Sequence, residues 1–262
     1  MSIGEFDLIK RYFKQKTSLN NCEGVDVGIG DDCAIVDIPD GYQLAVTTDS
    51  LVAGVHFFED VSPYRLGYKS LAVNLSDLAA MGAIPKWLSL AITLPRVDEQ
   101  WLNEFSRGFF ELANKHNVKL IGGDTTKGPL SITVSAKGIV KRNKALLRSG
   151  AQVGDLICVS GSLGDGALGL ACKLEKLNIY DKTAFVDALE LTEPRNNLGI
   201  LLTDHASSCI DISDGLLQDL QHILDASYCG AIVAIDKLPL SASMQLEVAK
   251  QTLSSEQASQ YA

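Results

Sequence analysis

Five short segments of this chain set aspartate beside glycine, serine or threonine. They are Gly28-Ile29-Gly30-Asp31-Asp32, Thr47-Thr48-Asp49-Ser50, Asn74-Leu75-Ser76-Asp77, Gly122-Gly123-Asp124-Thr125-Thr126 and Asp211-Ile212-Ser213-Asp214-Gly215. Carboxylate, hydroxyl and water supply the hard oxygen ligands that Mg²⁺ takes, and Mg²⁺ usually meets a protein together with substrate phosphates. Singly, each segment is a weak signal, reading as a turn or strand end or, for Asp77, as a solvated helix end. Five in one chain point to magnesium-dependent phosphoryl transfer, with the remaining sequence placing them around one cleft.

Asp77 is the most informative of these residues. It falls in the last turn of an expected helix, where a carboxylate opposes the helix dipole by about 0.3–1 kcal/mol, so helix stability gives no reason to place it there. Asn74 lies one turn earlier on the same face. Asp211 gains nothing from capping, whereas Ser213 or Asp214 is a fully adequate N-cap for the helix that follows. Helix N-termini also bind phosphate. Gly122 and Gly123 let the backbone approach a ligand closely, with Asp124 beside them to hold a metal. His56, Arg148 and Lys127 read first as structural or surface residues, although arginine also clamps phosphate bidentately. Trp87 and Trp101 read as core.

One motif points elsewhere. Gly164-Asp165-Gly166-Ala167-Leu168-Gly169 has the spacing of a dinucleotide-binding turn, between an expected strand and an expected helix. The acidic residue that should follow at the end of a second strand is poorly met, because Asp187 and Glu190 fall in a helical segment. No Walker-type glycine loop, protein-kinase catalytic loop, nucleophile elbow or His-Glu-x-x-His is present.

The elements that must carry these residues alternate. Helices are expected over 3–13, 63–81, 98–117, 163–175, 181–191, 194–204, 214–226 and 244–253. Strands are expected over 25–29, 33–38, 43–48, 86–94, 119–123, 130–140, 155–160, 209–212 and 231–235. Ser62-Pro63 marks a helix start. Residues 254–262 carry no structural signal. Two α/β units result, about 1–148 and 149–262.

The totals agree with this reading. The chain has 262 residues, 46% of them hydrophobic and 21% charged, as in a globular protein able to bury a core without staples. A net charge of -9 argues against a nucleic-acid binder, which normally shows a basic stripe. Cys22, Cys33, Cys158, Cys172, Cys209 and Cys229 form no Cys-x-x-Cys and read as small buried residues in a reducing compartment. No signal peptide or membrane span is evident, so a cytoplasmic protein is expected.

Gly-Ile-Gly-Asp-Asp-Cys-Ala, Thr-Thr-Asp-Ser-Leu-Val-Ala-Gly-Val-His-Phe, Ala-Val-Asn-Leu-Ser-Asp-Leu-Ala-Ala-Met-Gly-Ala, Ile-Gly-Gly-Asp-Thr-Thr-Lys-Gly-Pro-Leu, Arg-Ser-Gly-Ala-x-x-Gly-Asp and Ile-Asp-Ile-Ser-Asp-Gly-Leu, in that order, closely resemble the thiamine-monophosphate kinases. Several of these motifs separate that family from aminoimidazole-ribonucleotide synthetase and selenophosphate synthetase. The resemblance implies an α/β (α+β) two-domain synthetase-like fold and a homodimer whose N-terminal sheets join in a barrel. It implies ATP as co-substrate, several Mg²⁺ ions, and conversion of thiamine monophosphate to thiamine diphosphate without a general base. Carried over, Asp32, Thr47, Thr48, Asp49, Asp77, Asp124, Asp211 and Asp214 hold magnesium. Gly123, Asp124, Arg148 and Ser213 contact ATP, and His56 contacts the thiamine phosphate; Asp31 is left without a fixed role. Members of the family continue with a Gly-Gly-Glu-Asp-Tyr-Glu segment, so the C-terminal domain is expected to be incomplete in a chain ending at Ala262. Another ATP-using synthetase of the same fold, or a nucleotide-binding module without chemistry, are the alternatives.

Overall fold

The computed structural model describes residues 5–17 and 24–262. Cys22 and the start of the first expected helix lie outside them. Two units are formed: Met1–Ala145 with Pro194–His205, and Leu146–Glu193 with Ala206–Ala262.

The first unit begins with α1 (Glu5–Ile9), which continues as a π-helical turn over Lys10–Lys14, and with the short antiparallel pair β1 (Val25–Val27) and β2 (Ile35–Val36). Its main sheet contains β3 (Tyr42–Val52), β4 (Ile84–Leu94), β5 (Lys119–Lys127) and β6 (Ser131–Lys141), in the order β3-β6-β4-β5. The β3/β6 and β6/β4 pairs are antiparallel and β4/β5 is parallel. A parallel neighbour needs a crossover, which α3 (Glu99–Lys115) provides.

The helix carrying Asp77 is α2 (Pro63–Ala80). Ser62 Oγ accepts the Arg65 N–H at 3.2 Å and Pro63 fills the first turn, where its missing N–H costs nothing. The helix stops where Gly82 adopts φ +66° and the Ala83 N–H returns to the Leu78 carbonyl at 2.9 Å. Leu71, Leu75 and Leu78 are buried along one face, and Leu66 is buried on another side of the helix; each contributes about 1.5–3 kcal/mol. Against α3 the backbones come close enough that a Cβ on Gly67 would lie 2.1 Å from the Phe105 carbonyl oxygen, and one on Gly108 would lie 2.0 Å from that of Tyr64. In α3, Asp98 caps the Trp101 N–H at 3.0 Å, and Trp101, Phe105 and Phe109 stack in series. Trp101 is half-buried rather than core; Trp87 is core, with Ile121 and Ile139.

The helix α6 (Asn196–Leu202) also belongs to this unit and clasps the last turns of α2. Asn196 Nδ2 donates to the Leu75 carbonyl at 2.8 Å, and a Cβ on Gly199 would meet the Ala79 carbonyl oxygen at 2.1 Å.

The second unit holds α4 (Asp165–Lys173), α5 (Thr183–Glu190), α7 (Leu216–Ser227), α8 (Ala242–Ala249) and α9 (Ser255–Tyr261). Leu168, Cys172, Ile179, Phe185, Met244 and Leu253 form its core. The strands expected over 155–160, 209–212 and 231–235 are not formed; 235–237 is a single 3₁₀ turn. A strand exists only where a neighbour completes its ladder. These apolar runs are unladdered, with Leu156 88% and Ile232 96% exposed. Residues 254–262, where the sequence carries no structural signal, contain α9. Ser254 and Gln257 make a reciprocal capping box, with side-chain bonds of 3.0 and 2.8 Å.

The cysteines depart from expectation as well. Cys172 is buried, but Cys33 and Cys158 are exposed, and all five described cysteines are free thiols.

Candidate functional site

In the first unit β3 and the end of α2 bring together some of the oxygen donors, through Thr47 and Asp77. Alternation along β3 turns Thr47, Asp49 and Leu51 to the side covered by α2, in register with Ala136, Val134 and Ile132 of β6. Thr48 and Ser50 face the other way. Asp77 leaves the last turn of α2, and the Thr47 hydroxyl donates to its Oδ2 in a very short bond. Asp77 is therefore not the solvated helix end that an isolated carboxylate would make. It is half-buried and tied to the strand bearing Asp49, which is half-buried too. Asn74, one turn earlier, is fully buried; its Nδ2 donates to the Ser70 carbonyl at 3.2 Å. Thr48 Oγ1 turns back to the Thr47 carbonyl at 2.8 Å.

Asp124 and Gly123 sit on β5 at the opposite edge of the sheet. Cross-strand register puts Gly123 in the row of Leu90, Val134 and Asp49, and Asp124 in the row of Ala91, Thr133 and Ser50. Three strand spacings separate β5 from β3, about 14 Å at ~4.8 Å each, so one copy of the sheet does not bring Asp124 to the Thr47–Asp77 pair. Gly123 has φ +152°, and a Cβ there would lie 1.9 Å from the Leu90 carbonyl oxygen. Strand packing thus requires this glycine before any ligand does.

Asp31 and Asp32 are exposed, with Asp31 Oδ1 accepting the Asp32 N–H at 3.1 Å. His56 is exposed in the turn after β3. Its Nδ1 accepts the Val52 N–H at 3.1 Å, which places the proton of the neutral ring on Nε2, the free edge.

On the face of the sheet away from α2, part of which the β1/β2 pair covers at Trp87 and Ile139, hydroxyls surround one residue that sequence reasoning passed over. Lys137 Nζ donates to Ser89 Oγ at 2.7 Å and to the Ser135 carbonyl at 3.1 Å, and burial pushes its pKa down.

In the second unit, Asp211, Ser213 and Asp214 form the turn before α7. The expected N-cap is not what caps this helix. Gly215 occupies the capping position, with φ +119° and no side-chain bond of its own, and Asp214 Oδ2 instead accepts from Gln218 Nε2 at 3.2 Å. The amides are satisfied from inside the helix by Asp219. At the other end of α7, Ser227 Oγ accepts the N–H groups of Gly150 and Ala151 at 3.2 and 3.1 Å and donates to the Arg148 carbonyl at 3.3 Å. The Arg148 carbonyl and the Ser213 amide are thus held near opposite ends of α7, a helix about 18 Å long at 1.5 Å per residue. Asp155 accepts from the Ser207 hydroxyl at 2.5 Å and the Gln152 N–H at 2.9 Å, and these bonds hold its carboxyl below the usual range.

Residues 164–169 open α4 without a preceding strand. A Cβ on Gly169 would lie 2.2 Å from the Phe185 carbonyl oxygen, so this glycine serves the packing of α4 on α5. The strand that a dinucleotide turn requires is missing.

Among the described residues no three His, Cys, Asp or Glu side chains gather as a ready-made metal cage. Mg²⁺ does not ask for one. It keeps several waters and binds through one or two carboxylates plus substrate phosphates. Thr47, Asp49 and Asp77 offer only oxygen, with no nitrogen or sulfur donor among them, and fit Mg²⁺ on that ground.

Comparison with known proteins gives a consistent result. Residues 30–140 match the family model of the AIR synthase related protein N-terminal domain, and residues 152–260 that of the C-terminal domain. A thiamine-monophosphate kinase of Haemophilus influenzae is 52% identical over 93% of this chain and 74% of its own length. The crystal structure of thiamine-monophosphate kinase from Stenotrophomonas maltophilia superposes with a TM-score of 0.88 at 43% identity, covering 100% of this chain and 83% of that one. A structure of AaThiL complexed with AMPPCP and TMP has a TM-score of 0.78 at 29% identity, covering 100% of this chain and 82% of its own.

Proposed function

This chain belongs to the thiamine-monophosphate kinases, built on the AIR synthase-related domain pair, and we propose that its own residues carry the ATP-dependent phosphorylation of thiamine monophosphate to thiamine diphosphate as follows. An oxygen of the substrate phosphate attacks the γ-phosphorus of ATP, a new P–O bond forms, and the bond to the β-phosphate oxygen breaks to release ADP. The attacking oxygen is already anionic near neutral pH, since a phosphate monoester has a second pKa of about 6. No side chain has to remove a proton, in keeping with the lack of an obvious base. Repulsion between two polyanions is the obstacle, and Mg²⁺, when bound, neutralises it.

The single observation that carries this reading is the Thr47–Asp77 bond. It fixes a carboxylate of α2 against the donor run of β3, where charge compensation is needed. Asp32, Thr47, Thr48, Asp49, Asp77, Asp124, Asp211 and Asp214 are proposed as the magnesium ligands. Gly123, Asp124, Arg148 and Ser213 are assigned to ATP. His56 is assigned to the substrate phosphate, through the Nε2–H left free by its bond to Val52. A homodimer through the open face of the main sheet is supported by Leu44 and Val46, exposed on that side of β3. The two functional halves are taken as 1–148 and 149–262. A cytoplasmic location, without nucleic-acid or membrane partners, is part of the proposal; the net charge of -9 argues against a nucleic-acid partner.

Thermal unfolding with a non-hydrolysable ATP analogue tests the site. Ligand at 100 times its Kd stabilises by about 2.7 kcal/mol. A shift requiring both nucleotide and Mg²⁺ is expected. A shift with NADH and none with the ATP analogue would overturn the assignment.

A further inference from the structure

We propose that Asp219 is a positioning residue that fixes the 211–215 turn and, by its buried charge, makes that turn favour a cation held at the carboxylates of Asp211 and Asp214. Asp219 is the fourth residue of α7 and only 3% exposed. One of its oxygens, Oδ2, accepts three successive backbone amides: Ser213 at 2.9 Å, Asp214 at 3.1 Å and Gly215 at 3.2 Å. Only the Gly215 N–H, at the N-cap, is a donor that a bare helix N-terminus would turn toward a phosphate; those of Ser213 and Asp214 belong to the turn that leads into it. Here all three are occupied by a buried carboxylate. The N-terminus of a helix carries about half a positive charge, and a full negative charge one turn inside more than cancels it. What the turn then exposes is Ser213 and Asp214, whose Oδ2 accepts from Gln218 Nε2, with Asp211 half-buried at its start. Gly215 makes the geometry possible, because its φ of +119° lets its amide point back to Asp219 in a conformation that side chains resist.

This inference rests on the proposed metal role of Asp211 and Asp214, and the experiment separates the two. Mn²⁺, as the paramagnetic substitute for Mg²⁺, is titrated into the full chain with AMPPCP present, and broadening of the amide resonances of residues 211–215 is followed. In Asp219→Asn, which keeps the shape and loses the charge, half-broadening should need at least about tenfold more Mn²⁺, the range typical of lost outer-shell partners. Inorganic phosphate should begin to shift the same resonances. Asp219→Glu, which keeps the charge, should recover affinity, leaving less than the roughly tenfold loss expected of Asp219→Asn. Asp211→Asn is the control on the premise. If it weakens Mn²⁺ binding while a folded Asp219→Asn does not, the positioning role is wrong and the metal role stands. If Asp219→Glu is as weak as Asp219→Asn, or if Asp219→Asn fails to fold and the Glu variant is folded but weak, charge is not what Asp219 contributes and the proposal falls. If the parent chain shows no broadening in this turn, the metal assignment itself fails and takes the inference with it.

Discussion

Replacing Gly67 by alanine pits two effects of opposite sign against each other. In an exposed helix interior the change stabilises by about 0.8–1 kcal/mol, because alanine is the better helix former. In α2 the new Cβ would lie 2.1 Å from the Phe105 carbonyl oxygen of α3. An ordinary carbon–oxygen contact is about 3.3 Å, so the two backbones must part by roughly 1.2 Å. The obstructing atom belongs to a helix and has no rotamer to escape into. Overpacking of this kind costs about 1–3 kcal/mol, and the upper half of that range outweighs the propensity gain. A net loss of about 1–2 kcal/mol corresponds to a fall in Tm of roughly 2–8 °C, measured by circular dichroism. Gly166→Ala, whose Cβ would find only the Ala188 carbonyl oxygen at 3.9 Å, serves as the control and should hold or raise Tm. Activity should suffer more than stability. A 1.2 Å shift of α2 moves Asp77 off Thr47, and a misplacement of about 1 Å can cost on the order of 100-fold in rate. A Gly67→Ala variant that melts higher than the parent would refute the close-approach argument.

Other expectations follow from the same structure. Asp49→Ala and Asp77→Ala should each lower turnover by at least about 100-fold with little change in Tm, and Thr47→Val should cost about 1 kcal/mol or less of stability but at least tenfold in rate; wild-type rates in the aspartate variants would remove the metal assignment. Asp155, whose carboxyl is held low by the Ser207 and Gln152 bonds, contributes stability that is present above the unfolded carboxylate pKa of about 3.9 and is lost as pH falls through the depressed folded value. Acid titration of the second unit by near-UV circular dichroism should therefore show a loss below about pH 4 that is smaller in Asp155→Asn; identical acid profiles would contradict this. Ser254→Ala removes one half of the α9 capping box and should destabilise the second unit by about 1 kcal/mol, seen as faster amide exchange over 255–261.

The first unit was largely legible because its signals are local and doubled. Ser62-Pro63 and Gly82 bracket α2, Asp98 opens α3, and the apolar alternation of residues 130–140 marks a strand whose ladder partners lie within the same unit. Strand character in the second unit was not legible, since apolar runs such as 155–160 and 231–235 have the composition of strands but pairing is not a local property. The bond between Thr47 and Asp77 spans thirty residues and is visible only once the chain is folded. Two misses had a signal. Ser254-Ser-Glu-Gln257 is a capping-box sequence. Asp219 shares the i, i+3, i+4, i+7 stripe with Leu216, Leu220 and Ile223, which marks it as an inward-facing carboxylate in need of donors.

The central claim is the reaction itself, and the most direct measurement is product analysis. The full chain is incubated with ATP, Mg²⁺ and thiamine monophosphate, and nucleotides and thiamine species are separated by chromatography. Thiamine diphosphate and ADP are predicted to form in equal amounts, with neither product when Mg²⁺ is chelated and none when thiamine replaces its monophosphate. ADP without thiamine diphosphate, or thiamine diphosphate that accumulates equally well in the presence of chelator, would contradict the account.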